Sequence, residues 1–180
     1  MAPGVGSSKR KARKKMILNE FDIFQNKVLG AHAIWEFSKN FQQTNKEKAF
    51  PTLLLTMPVL PLCLNRRVVN GIKERNFKTG SLLRALEENK DLFSGLQDRM
   101  ESMANLTLES IYLGSVVGLI SYDRDRSLIT STIKSLPSKI KENMMKNSEY
   151  MDIINASRRI GAWFGLFNES EILLYFNLKF

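Results

Sequence analysis

Residues 53–64, LLLTMPVLPLCL, decide how the rest of the chain is read. Only Thr56 in this run carries a polar side chain, so the segment belongs inside a fold. Pro58 and Pro61 each remove a backbone donor and disfavour one uninterrupted helix. The run also falls short of the ~20 apolar residues that a membrane-spanning helix requires. It therefore reads as a bent core element that ends on Arg66 and Arg67 and delivers them to the surface.

With 180 residues and 43% hydrophobic content, the chain can bury one sizeable core. Its single cysteine, Cys63, lies inside the apolar run, which excludes an internal disulfide framework and suits a reducing compartment. No secretory signal pattern follows the basic start, so the expected location is the cytoplasm, away from any membrane. The net charge is +9, and Lys9, Arg10, Lys11, Arg13, Lys14 and Lys15 supply +6 of it with no acid among them. Residues 1–16 are expected to be a disordered basic tail, and residues 17–180 a single α-rich domain. The tail cations, together with Arg66 and Arg67, are candidate nucleic-acid contacts that would gain affinity by counterion release. The other readings of the tail are a solubilising leader, or residues upstream of a true start at Met16.

Between Asn19 and Phe41, apolar residues recur at Phe21, Phe24, Val28, Ala31 and Trp35, with Ile34, Phe37 and Phe41 widening the stripe. This spacing predicts a long amphipathic helix with an aromatic face, capped by Asn19 or Asp22. A second, short helix begins at Arg66, with Val68, Val69 and Ile72 facing inward. Arg66, Arg67, Lys73, Arg75, Lys78 and Arg84 are opposed there by Glu74 alone. That excess reads as a phosphate-facing strip, a dock for an acidic protein, or a solvated face.

Ser81 should cap the next helix, with Leu82, Leu83 and Leu86 inside. Leu92, Leu96 and Met100 mark a second helix, and Leu106, Leu108, Ile111 and Val116 a third. The period then switches to alternation through Gly118–Asp123, a charged turn, and Ser127–Thr130, which is a hairpin signal. Three helices and a hairpin over about 80–132 follow the order of a winged-helix module. The third helix carries only Glu109 as a charge, whereas a groove-reading helix needs basic or amide side chains. The module therefore reads as protein-docking, with Arg124 and Arg126 at its tip. Beyond a basic connector, Met151, Ile154, Ile160, Trp163 and Phe164 predict a C-terminal helix. A shorter helix, capped with help from Ser170, then leads into a strand-like Leu178–Phe180. The fold class expected is mainly α with one small β-hairpin.

Catalytic constellations are missing from the sequence. There is no phosphate-cradling Gly-rich loop. The lone His32 and lone Cys63 both sit in apolar contexts and do not make a nucleophile–base pair or a metal site. Asp123/Asp125 and Glu87/Glu88 read as a solvated turn and a solvated face. A non-enzymatic protein without cofactor or metal is expected.

Three segments then carry a resemblance: NKVLGAHAIWEF (26–37), TLLLTMPVLPLCLN (52–65) and SRRIGAWFGLFNESEILLYFNLKF (157–180). In this order they resemble the middle components of three-component ABC-ATPase conflict systems, and within these the small C subunits of Lamassu anti-phage and anti-plasmid complexes. The family's ending often reads Leu-Gly-Val-Arg, whereas this chain has Tyr175-Phe176-Asn177-Leu178-Lys179. The resemblance implies a non-catalytic adaptor that bridges an SMC-like ABC ATPase to an effector nuclease and reaches double-stranded DNA through the complex. On that reading Trp35, Phe37, Phe41, Trp163, Phe164 and Phe167 are the candidate partner-binding residues, since interfaces favour aromatic anchors. The alternative is a stand-alone winged-helix regulator that binds nucleic acid.

Overall fold

The computed structural model describes residues 27–73, 75–88, 90–133, 135–136, 138–139, 142 and 146–180. The tail cations, Phe21, Phe24 and the proposed caps at Asn19 and Asp22 lie outside these residues. Helix α1 is described over residues 27–44. The apolar run then folds as two single-turn pieces, α2 (Leu53–Thr56) and α3 (Val59–Cys63), broken at Met57-Pro58. Pro58 thus bends the segment as expected, whereas Pro61 is accommodated in the first turn of α3, all of which is buried. Asn65 caps α4 (Arg66–Ile72) by accepting from the N–H groups of Arg67 and Val68, and Val68, Val69 and Ile72 point inward.

Helices α5 (Thr79–Glu88), α6 (Lys90–Phe93), α7 (Leu96–Ser102) and α8 (Ala104–Val116) follow. Where the spacing predicts one helix through Leu92, Leu96 and Met100, there are two. Gly95 adopts φ +68° before α7, a conformation that glycine tolerates at little cost. The hairpin β1 (Ile120–Asp123) and β2 (Leu128–Ser131) pairs antiparallel in the register Ile120–Ser131 to Asp123–Leu128. Its turn is held by the Asp123 carboxylate, which accepts from the N–H groups of Asp125 and Arg126. Asn147 caps α9 (Ser148–Phe164). The cap of α10 (Glu169–Tyr175) is Asn168 rather than Ser170, in a reciprocal capping box with Glu171.

The chain ends in a left-handed Asn177 (φ 50°) that closes α10, with Leu178 N–H donating to the Leu173 carbonyl at 2.9 Å. No strand forms at 178–180. The Gln97 side-chain amide instead takes both backbone groups of Lys179, at 3.1 Å each.

Helix α1 lies at the centre of this arrangement. Every residue from Gly30 to Ser38 is buried, so the helix is enclosed on all sides rather than along one stripe. It contributes to two core clusters. Phe37 and Phe41 join Leu62, Trp163, Phe164 and Phe176, while Ile34 and Trp35 join Leu60, Ile111, Ile120, Ile129 and Ile154. No described helix is long and apolar enough to cross a membrane.

Candidate docking surfaces

Helix α8 buries Ile111 and packs Leu106 on the core as its periodicity predicts, but Leu108 and Val116 of the same set lie outside. Thr107, Ser110, Ile111 and Gly114 face inward, whereas Leu108 (47% exposed), Tyr112 (73%) and Val116 (65%) form an outward row at spacings of four. The small residues explain this orientation. A Cβ on Gly114 would meet the Ile120 side chain at 2.9 Å, and one on Gly30 would meet Ser110, so α1 and β1 approach α8 closely along its small-residue face. Burying a large apolar side chain contributes about 1.5–3 kcal/mol, and the outward row forgoes much of that in the isolated chain. Exposed Val117 and Tyr122 extend the surface. An apolar groove of about 460 Å³ runs beside it, between α8 and the hairpin, and among the described residues no charged side chain lines it. Leu53, Ile111 and Ile120 form part of its wall.

A second apolar surface lies over the other core cluster. Leu174, Tyr175 and Phe180 are exposed there. A cleft of about 540 Å³ opens nearby, lined by Leu83, Leu86, Phe93, Leu96, Tyr175 and Phe176, with Glu87 and Lys90 adding charge. The two hollows share no residue.

The expected aromatic anchors lie elsewhere. Trp35, Phe37, Phe41, Trp163 and Phe164 are buried in the core, and Phe167 is half-buried against Tyr175 with its ring edge-on at 5.3 Å. Trp35 N–H donates to the Ile133 carbonyl at 3.2 Å, and Trp163 N–H to the Asn76 carbonyl at 3.0 Å. Phe37 and Phe164 meet edge to face at 5.7 Å. The partner-binding assignment of these five is therefore corrected: their faces are used up inside the chain. The large apolar side chains left exposed from α8 through β1 are Leu108, Tyr112, Val116, Val117 and Tyr122. Their only sequence signal was the small-residue row Thr107, Ser110 and Gly114 on the opposite side of the helix.

Arg66 and Arg67 are exposed at the start of α4, as expected. The basic strip around them is less positive in space than in sequence. Arg67 pairs with Asp91 at 3.2 Å, Lys73 with Asp152 at 3.0 Å, and Arg75 with Glu88. A cleft of about 180 Å³ beside Arg66 is lined by Glu149 and Asp152 as well as by Lys73.

The buried polar groups of α1 are held by the elements packed on it. Glu36 receives Arg158 of α9, and Lys39 lies 3.9 Å away. Burial would raise the Glu36 carboxyl, but the nearby His32 ring, the Arg158 hydrogen bond and the charges of Arg158 and Lys39 outweigh it and hold it at about 2. Tyr150 lies 2.7 Å from His32 Nδ1, and burial pushes its hydroxyl upward. Ser38 donates to the Ile129 carbonyl at 2.6 Å. These contacts join α1, α9 and the hairpin. Among the described residues no group of three or more His, Cys, Asp or Glu side chains is placed to hold a metal.

Residues 14–180 match a protein-family model described as the ABC-three component (ABC-3C) system Middle Component 3. No curated protein and no solved structure matches the chain.

Proposed function

Starting from the chain's membership of the ABC-3C system Middle Component 3 family, we propose that it is a non-catalytic adaptor. It joins an SMC-like ABC ATPase that senses foreign DNA to an effector nuclease, in a defence complex of the Lamassu kind acting against phage and plasmids. DNA reaches it through the complex.

One observation carries this reading. Two exposed apolar surfaces sit over two separate core clusters, one on α8 and β1 and the other around α10. A bridge needs two faces that can be occupied at once, each with an apolar centre. Contiguous exposed apolar surface of this kind marks interaction sites.

The test is co-expression of the chain with the ATPase and effector components of its system, followed by mass measurement of the intact assembly. Tyr112→Glu should release one component and Leu174→Glu the other, each leaving the second component bound. An assembly that tolerates both substitutions, or an isolated chain that hydrolyses nucleotide or cleaves DNA, would overturn the proposal.

A further inference from the structure

The small sheet has two edges, and among the described residues only one is covered. On the β2 side, Ile129 N–H donates to the Pro51 carbonyl at 2.9 Å and the Ile129 carbonyl accepts from Ser38 Oγ at 2.6 Å. Leu53 N–H also donates to the Ser127 carbonyl at 2.7 Å. The backbone from Pro51 to Leu53 thus closes that edge.

On the β1 side no such cover is present among the described residues. Thr132 N–H donates to the Leu119 carbonyl at 3.0 Å, which fixes the phase of the antiparallel ladder. Ser121 and Thr130 are then a hydrogen-bonded pair, and Ile120 and Tyr122 turn their N–H and C=O groups away from β2. Ile129, opposite Tyr122, gives the same phase independently, because its own groups point to Pro51 and Ser38. An open edge of this kind is a template for another strand. It borders the apolar groove in which Leu108, Ile111 and Tyr112 face Ile120 and Tyr122.

We infer that the groove takes an extended segment of a partner chain, added as a strand on the free edge of β1. Its alternate apolar side chains enter between α8 and the sheet. This rests on the reading of the face as a docking surface and adds the shape of what docks there. The main-chain groups give affinity and the groove selects uncharged side chains at every second position. A helical partner would cover the edge without satisfying Ile120 and Tyr122, which is costly for backbone groups shut away from water. A second copy of this chain fits poorly as the occupant. On the groove side its own β1 offers only Tyr122, since Ile120 is already buried in its own core.

The experiment selects random ten-residue linear peptides against the full chain by display. The expected enrichment is apolar residues at alternate positions. On binding of a selected peptide, the Ile120 and Tyr122 amides should slow in hydrogen exchange. Tyr122→Pro removes one outward donor without touching the β1–β2 ladder and should weaken binding by about tenfold. Leu108→Glu, at an exposed position, should abolish binding with the circular dichroism spectrum unchanged. Peptides enriched at helical spacing would sink the added strand while leaving the docking face in place. An empty selection, or unchanged exchange at both amides in the bound state, would overturn the inference, as would self-association that protects them. A bound strand-like peptide in a chain that never joins an ATPase would instead count against the adaptor role alone.

Discussion

Gly30 of α1 lies against Ser110 of α8 so closely that a Cβ on the glycine would fall 2.3 Å from the serine Oγ. This contact lets the two helices cross with almost nothing between them. It draws the small face of α8 inward and leaves Leu108, Tyr112 and Val116 outside. The apolar docking surface therefore follows from a glycine on a different helix.

Gly30→Ala tests this packing. Alanine should gain about 1 kcal/mol from helix propensity. Overpacking costs about 1–3 kcal/mol and should win, because the Ser110 side chain and Leu60 both stand within 3.1 Å of the new atom. The expected result is a lower denaturant midpoint with an unchanged slope. Among the described residues the buried Ser110 Oγ has no hydrogen-bond partner, so Ser110→Ala should cost little alone and restore much of the loss in the double variant. Additive effects of the two substitutions would refute the contact.

Trp163→Ala should unfold the isolated chain more readily, whatever partners are present. The side chain is fully buried, and large-to-small changes of this kind cost about 3–5 kcal/mol. The indole N–H also supports the Asn76 carbonyl, and the neighbouring Arg159 holds the Arg75 carbonyl at 2.6 Å. Both contacts fasten the segment after α4 onto α9. Chemical denaturation of the purified single chain distinguishes this from an interface role, which would leave its stability unchanged.

The Glu36 carboxyl makes the fold sensitive to acid. Its value is about 2 in the folded chain against an ordinary 4.5. A lowered carboxylate contributes stability that is fully present above the ordinary value and is lost as pH falls toward the folded one. The loss should therefore develop between about pH 5 and pH 2 and be on the order of 3 kcal/mol. Glu36→Gln should lower stability at neutral pH, where Arg158 loses its charge partner, and flatten the acid limb. Denaturation midpoints measured across that range would show it, and parallel limbs in the two proteins would exclude it.

Local patterns made much of the fold legible. Pro58 broke the apolar run where it stood, the switch of period marked the hairpin, and Val68, Val69 and Ile72 faced inward at helical spacing. What was hidden is non-local. Periodicity placed Ile111 and Leu106 of α8 on the core, but the close approach of Gly30 to Ser110 is what leaves Leu108 and Val116 outside. The count of cations between Arg66 and Arg84 could not reveal Asp91 or Asp152, which arrive from 24 and 79 residues away. The aromatic residues looked like more than a small core would use, because a helix enclosed on all sides, as α1 is from Gly30 to Ser38, needs more core than an amphipathic one.

Cys63 offers a direct readout of how firmly α3 is held. The thiol is wholly buried beside α9, and burial pushes it up to about 12, against a smaller opposing pull from the nearby Ser157. The thiolate is the reactive form, so the folded chain should resist a disulfide reagent at pH 8 almost completely. Modification should then proceed only through opening of the α3–α9 packing, and its rate should rise with denaturant in step with unfolding. Gly161→Ala should accelerate it, because the added carbon would meet the Phe37 carbonyl oxygen at 2.4 Å, and backbone cannot rotate aside. Substituting the exposed Tyr112 should leave the rate unchanged. Rapid labelling of the native chain would mean that α3 is not sealed beneath α9, and the account of the apolar run as a core element would fall with it.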